Sequence, residues 1–137
     1  MIPNSAEYFL CRSSEDYKLC HKFLRDNGST RKVELGFPTV VAVRDIDIIG
    51  LISRHPSKDM VIIGTLALAN GLPTTAKGII TIRLVEAIEI VMRDSGIKHY
   101  WVSVDSENEQ LKSAIERAFL IGPHSSDKKN TFYQRTL

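Results

Sequence analysis

The tightest constraint in this chain is the run from Met60 to Asp105, where an apolar segment, a short turn, a long apolar-rich segment and a second strand-like segment follow one another. Met60 to Ala69 is apolar without alternation, the pattern of a strand covered on both faces. Asn70-Gly71-Leu72-Pro73-Thr74-Thr75 is a turn in which Thr74 or Thr75 is expected to cap the helix that follows, from about Ala76 to Asp94. Asp94-Ser95-Gly96 stops that helix, and His99 to Asp105 reads as the next strand. Strand, helix and strand in this order predict two parallel neighbours joined by a right-handed crossover. The junction before the helix leaves backbone N–H groups and the positive end of the helix dipole at the strand's C-terminal edge, where an anion can dock.

The remaining segments fall around this unit. Glu7 to Arg12 reads as a short strand, and Ser13-Ser14-Glu15-Asp16 resembles a capping box for a helix with Tyr17, Cys20, Phe23 and Leu24 on one side. Asn27-Gly28 ends that helix, and Asn27 to Lys32 is expected as an exposed polar loop. Val33 to Phe37 is a weak segment before Pro38. Thr39 to Arg44 and Ile48 to Ser53, joined at Asp45-Ile46-Asp47, read as a hairpin that continues into the Met60 strand as an antiparallel meander. Ser106 to Glu109 opens a further helix with Leu111, Ala114, Ile115 and Ala118 inward. Leu120 to Ile121 and Thr131 to Leu137 are the expected last strands, with Gly122 to Asn130 as a polar loop between them. Along the long helix, Ile79, Ile80, Ile82, Val85, Ile88 and Met92 are expected to form the core face. The order describes one domain over residues 1–137, a mixed sheet with helices packed on it.

Composition narrows the function. A net charge of +2 with scattered Lys and Arg lacks the basic stripe of a nucleic-acid binder, so no nucleic-acid partner is expected. No leader-like or membrane-spanning run is present, which points to a cytoplasmic protein without a membrane partner. Cys11 and Cys20 lack a Cys-x-x-Cys arrangement, and His21, His55, His99 and His124 are too dispersed for a zinc motif, so no metal site is expected.

The order of elements, together with two junctions, resembles the GNAT family of acyl-CoA-dependent N-acyltransferases. Ile48-Ile49-Gly50-Leu51-Ile52 is similar to the family's third strand, and Leu66-Ala67-Leu68 to the end of its fourth. Lys77-Gly78-Ile79 with Leu84-Val85-Glu86-Ala87 resembles its cofactor loop and long helix, and Val104-Asp105-Ser106-Glu107-Asn108 its fifth strand and helix-opening Asn. The resemblance implies an α/β fold of the α+β kind, a mostly antiparallel mixed sheet whose central parallel pair splays apart. It also implies acetyl-CoA as cofactor, with pantetheine along Leu66, Ala67 and Leu68, the pyrophosphate on Thr75, Ala76, Lys77 and Gly78, and Asn108 at the cleft. The acceptor would be a small-molecule or protein amine, and a homo-oligomer is common in the family.

Two departures from the family pattern bear on activity. Thr75 stands where the loop has Arg or Gln, and Ile80 where it has a second small residue. A β-branched side chain there is expected to crowd the diphosphate, giving weak or absent acetyl-CoA binding, and Ile80→Gly would relieve it. Ile115 stands where the family often has a proton-donating Tyr. Tyr100, Tyr133 and His124 are the replacement acid candidates, and Asp59, Asp105 and Glu107 the candidate bases. Two readings follow. One is an N-acetyltransferase. The other is a GNAT-like chain that has lost catalysis and serves with protein partners in an assembly, in line with a looser resemblance of Gly36-Phe37-Pro38-Thr39-Val40 to tailed-bacteriophage virion proteins.

Overall fold

The computed structural model describes residues 6–57, 59–119 and 121–137. In chain order the elements are β1 (Glu7–Leu10), α1 (Ser14–Asp26), β2 (Thr39–Arg44), β3 (Asp47–Arg54), β4 (Ile62–Leu68), α2 (Thr74–Asp94), β5 (His99–Asp105), α3 (Glu109–Phe119), β6 (Ser125–Ser126) and β7 (Asn130–Thr136). They build a mixed α/β fold around one seven-stranded sheet, ordered β1-β2-β3-β4-β5-β7-β6, in which β4 and β5 are the one parallel pair of neighbours among the described residues. Among the described residues no helix is long and apolar enough to cross a membrane.

Local chemistry explains the elements that the sequence marks most clearly. The Ser13 side chain accepts from the Asp16 N–H at 3.2 Å, and the Asp16 carboxylate accepts from the N–H groups of Ser13 and Arg12, which holds its pKa below the usual carboxylate value. The β2–β3 turn places Asp45 at φ 59°, a left-handed conformation that Asp tolerates. Tyr17, Cys20, Phe23 and Leu24 bury the inner face of α1 against Val41 and Leu51.

Three expectations are corrected. The sixth strand is Ser125–Ser126, inside the stretch read as a loop, while Ile121 is not in a strand and Leu120 lies outside the described residues. A two-residue edge strand needs no apolar run; here Asp127 Oδ1 accepts from the N–H groups of Lys129 and Asn130 at 2.8 and 2.7 Å and folds β6 back on β7. The α2 helix begins two residues early, with Pro73 as its N-cap and no side-chain cap, so Thr74 and Thr75 belong to the first turn. On the same helix Ile79 and Ile82 are exposed, because at 3.6 residues per turn Ile80, Leu84, Ile88 and Met92 take the sheet-facing side.

Two bulges shape the sheet beneath α2. In β3 the register with β2 jumps from Ala42↔Gly50 to Val43↔Ile48, and in β4 the register with β3 jumps from Ser53↔Thr65 to Arg54↔Ile63, leaving Gly64 as the extra residue. A Cβ on Gly64 would lie 2.8 Å from His55 Cβ, which belongs to the near end of that side chain and cannot rotate away. Gly64→Ala is therefore expected to cost about 1–3 kcal/mol. Denaturant titration checks this, and a variant as stable as the parent would mean that the bulge relaxes freely.

Candidate active site

A cleft opens where β4 and β5 part. Their parallel ladder holds only at Ile62↔Trp101 and Ile63↔Val102, so the strands separate over the rest of their length toward their C-terminal ends. On its other edge β4 stays paired with β3, and Ala69 N–H donates to Ile49 O at 2.8 Å. Antiparallel pairing directs alternate residues to the same neighbour, so Ala67 also gives its backbone groups to β3. Leu66 and Leu68 turn theirs toward the gap, where β5 no longer reaches. The gap is thus an open strand edge inside a sheet, able to pair with an extended ligand.

The cleft runs through the sheet. Thr81 and Val85 of α2 and Leu111 and Ile115 of α3 line it on one face, and Arg31, from the loop after α1, lines it on the other. Its volume is about 140 Å3, the share of roughly five waters. Asn108 also lines it, and its Oδ1 accepts from Leu111 N–H at 3.1 Å as the side-chain cap of α3.

Beyond Leu68 the chain turns at Gly71, φ 85°, into the first turn of α2. The first backbone bond of the helix is Lys77 N–H to Pro73 O at 2.9 Å, so the amides of Thr74, Thr75 and Ala76 precede the ladder and meet the dipole's positive end. Gly78 has open space where a Cβ would project. The crowding expected from Ile80 is not found. Its side chain turns into the core at 5% exposure, with Cγ2 only 3.2 Å from the Cβ position of Gly50 on β3. The glycine is on the strand and the isoleucine on the helix, and together they fill the helix–sheet contact.

No protein-family model matches the sequence, and no curated protein matches it. Solved structures do. An assigned GNAT-family acetyltransferase from Desulfovibrio desulfuricans superposes with a TM-score of 0.73 at 12% identity, over 96% of this chain and 99% of that one. The PaiA N-acetyltransferase of Thermoplasma acidophilum, solved with coenzyme A, gives 0.73 at 14% identity over 96% and 99%. The chain has the GNAT fold. Diaminobutyrate acetyltransferase EctA of Paenibacillus lautus, solved with its substrate and coenzyme A, gives 0.65 at 14% identity over 95% of each chain. At such identities the likeness is one of architecture.

Within this GNAT fold the residues singled out from the sequence separate into groups. Leu66 and Asn108 line the cleft, Leu68 extends its open edge, and Thr75, Ala76, Lys77 and Gly78 lie in the opening turns of α2 beyond it. Ala67 faces β3 with its backbone and the α1-side core with its side chain. Tyr100 lines the cleft with its ring, but its hydroxyl donates to Glu89 Oε2 at 2.6 Å. Tyr133, fully buried under α3, donates to Glu116 Oε2 at 2.8 Å. Burial, then the carboxylate at each hydroxyl, pushes both phenols well above their ordinary pKa of 10.0, which makes them reluctant acids. His124 is exposed and meets the Trp101 ring edge-on, with centroids 4.8 Å apart. Trp101 alternates with Tyr100 along β5 and so projects from the other face of the sheet.

Of the three candidate bases, Asp105 lines the cleft, Glu107 lines an adjoining depression with Lys128 and Lys129, and Asp59 precedes β4 at the end where the strands pair. Sequence reading missed Arg31, Thr65 and Ser103 among the lining residues. Ser103 and Thr65 lie in strands and carry no mark of the gap, and Arg31 lies in a stretch that reads only as a polar loop.

Proposed function

We propose that this chain is an acetyl-CoA-dependent N-acetyltransferase. The observation that carries the reading is the strand edge at Leu66 and Leu68, open to the cleft, with the first turn of α2, which has no side-chain cap, following that edge along the chain. Pantetheine would pair with that edge, and the diphosphate would lie on the amides of Thr74, Thr75 and Ala76 beside Lys77 and Gly78. The thioester would then project toward the middle of the cleft.

An amine entering from the Arg31 side attacks the thioester carbonyl. A C–N bond forms, the C–S bond breaks, and the amine gives up one proton while the sulfur leaves as thiolate. Asp105 is the cleft carboxylate suited to receive the proton. At the place of a family Tyr, Ile115 supplies no proton, and the hydroxyls of Tyr100 and Tyr133 are committed to Glu89 and Glu116. The thiolate is therefore protonated from solvent, which predicts slow turnover rather than none.

Calorimetry with acetyl-CoA is the direct test. With Ile80 in the core, binding in the micromolar range is expected, of the order of −8 kcal/mol. Gly78→Ala separates the site from the fold. Replacing an open helical glycine raises stability by about 0.5–1 kcal/mol, while the added methyl lies where the diphosphate approaches and weakens acetyl-CoA binding. A variant that gains stability with unchanged affinity would remove Gly78 from the site.

The second reading, an inactive component of a protein assembly, draws on the outward stripe of Ile79, Ile82 and Ile90 on α2, an apolar surface a protein partner could cover. Failure to bind acetyl-CoA would turn the balance to it.

A further inference from the structure

The cleft carries two opposite charges that are not joined to each other. Arg31 Nη1 donates to Gly64 O, the carbonyl at the β4 bulge, which fixes the guanidinium at the edge of the gap. That bond uses one of five N–H donors, and none of the described ion pairs involves Arg31. Asp105 lines the same cleft from β5, and it too forms none of those ion pairs.

Arg31 is held there by its loop. Ser29 N–H donates to Leu24 O at 2.8 Å and Arg31 N–H to Ser29 Oγ at 3.1 Å. Two residues on, Val33 is buried, with its carbonyl 2.9 Å from the His21 ring nitrogen. Both ends of the segment are tied to α1, so the arginine reaches the bulge without an added ordering cost when a ligand arrives. A guanidinium with a fork of donors facing a narrow cleft matches a carboxylate.

We propose that the acceptor is a small amino-acid zwitterion, with its carboxylate on Arg31 and its amine toward Asp105 and the thioester. This inference rests on the acetyl-transfer reading above. A carboxylate on Arg31 orients the amine for attack. The ammonium first gives one proton to Asp105, which passes it to solvent, and the neutral amine then attacks. As the C–N bond forms and the C–S bond breaks, the nitrogen gives up a second proton to Asp105, while the departing thiolate takes one from solvent. A peptide bond or amide in place of the carboxylate leaves the guanidinium without its anion.

The test uses the full chain with acetyl-CoA and two acceptor mixtures, the twenty amino acids and their carboxamides, with acetylated products read by mass spectrometry. Transfer is expected to favour the acids by about tenfold or more, the discrimination available to a site built for a charged group. In Arg31→Gln the KM for the preferred acid rises about tenfold with kcat little changed, and its amide is unaffected. Arg31→Lys, which keeps the charge but loses the fork, recovers part of the preference. Acetyl-CoA affinity is the control and should match the parent in each variant, while the melting curve, which registers the lost bond to Gly64 O, should fall by no more than a few degrees. Equal transfer to acids and amides, or an unchanged preference in Arg31→Gln, overturns the proposal and leaves the transferase reading standing. Absence of acetyl-CoA binding overturns both.

Discussion

Replacing Glu89 with alanine is expected to lower the unfolding free energy by about 3 kcal/mol, the scale of breaking a buried ion pair. Glu89 is 4% exposed on α2 and accepts from the Tyr100 hydroxyl at 2.6 Å and from Arg135 Nε at 2.8 Å, with Arg93 Nη2 at 3.8 Å. Its removal leaves a buried phenol without its acceptor and takes the carboxylate from Arg135. The Arg135 side chain is 29% exposed, so water compensates part of the loss and the figure belongs at the low end of the range for such pairs. Thermal melting should fall by about 10 °C, and Glu89→Gln, which keeps the shape and one acceptor, should fall by less. A loss under about 1 kcal/mol in the alanine variant would show the network to be dispensable.

The same network sets an alkaline limit. Tyr100 keeps its proton in the folded chain above the ordinary 10.0, chiefly through burial and then through Glu89. Its contribution is whole below pH 10 and declines at higher pH, once the unfolded chain can ionise that tyrosine and the folded chain cannot. Stability measured upward from that pH should fall less steeply in Tyr100→Phe than in the parent.

The second large effect is at Ile80. Read from the sequence, Ile80→Gly opens the approach to a diphosphate. In the structure Ile80 fills the space over Gly50 beside Leu84. The change removes a buried side chain and puts glycine in a helix, for an expected loss of about 3–5 kcal/mol. Urea unfolding distinguishes the two accounts. A stable variant with tighter acetyl-CoA binding would restore the crowding account, and a destabilised one with parental affinity, measured where it is still folded, supports the packing account. Gly50→Ala is the reciprocal change, since its Cβ would meet Leu68 Cδ2 at 3.0 Å, Ile80 Cγ2 at 3.2 Å and Leu84 Cδ1 at 3.3 Å.

What sequence reading captured is local. The Ser13–Asp16 capping box, the Asp45 turn and the His99–Asp105 strand are written in adjacent residues and appear where expected. The start of α2 was misplaced because Thr74 and Thr75 look like caps, while Pro73, whose missing N–H costs nothing at a helix entrance, takes that position. β6 was missed because an edge strand of two serines has no apolar signature, and Gly64 showed no reason to be glycine until His55 lay beside it.

By itself the sequence determined the order of strands and helices and the parallel sense of β4 and β5, because periodicity, caps and crossover handedness are properties of neighbouring residues. Tertiary structure alone decided where those strands part, which way Ile80 turns, that the Tyr100 and Tyr133 hydroxyls donate hydrogen bonds to Glu89 and Glu116, and that Arg31 meets Gly64 across 33 residues of chain. Each of these depends on atoms brought together by packing, and a packing contact leaves no pattern in the residues on either side of it.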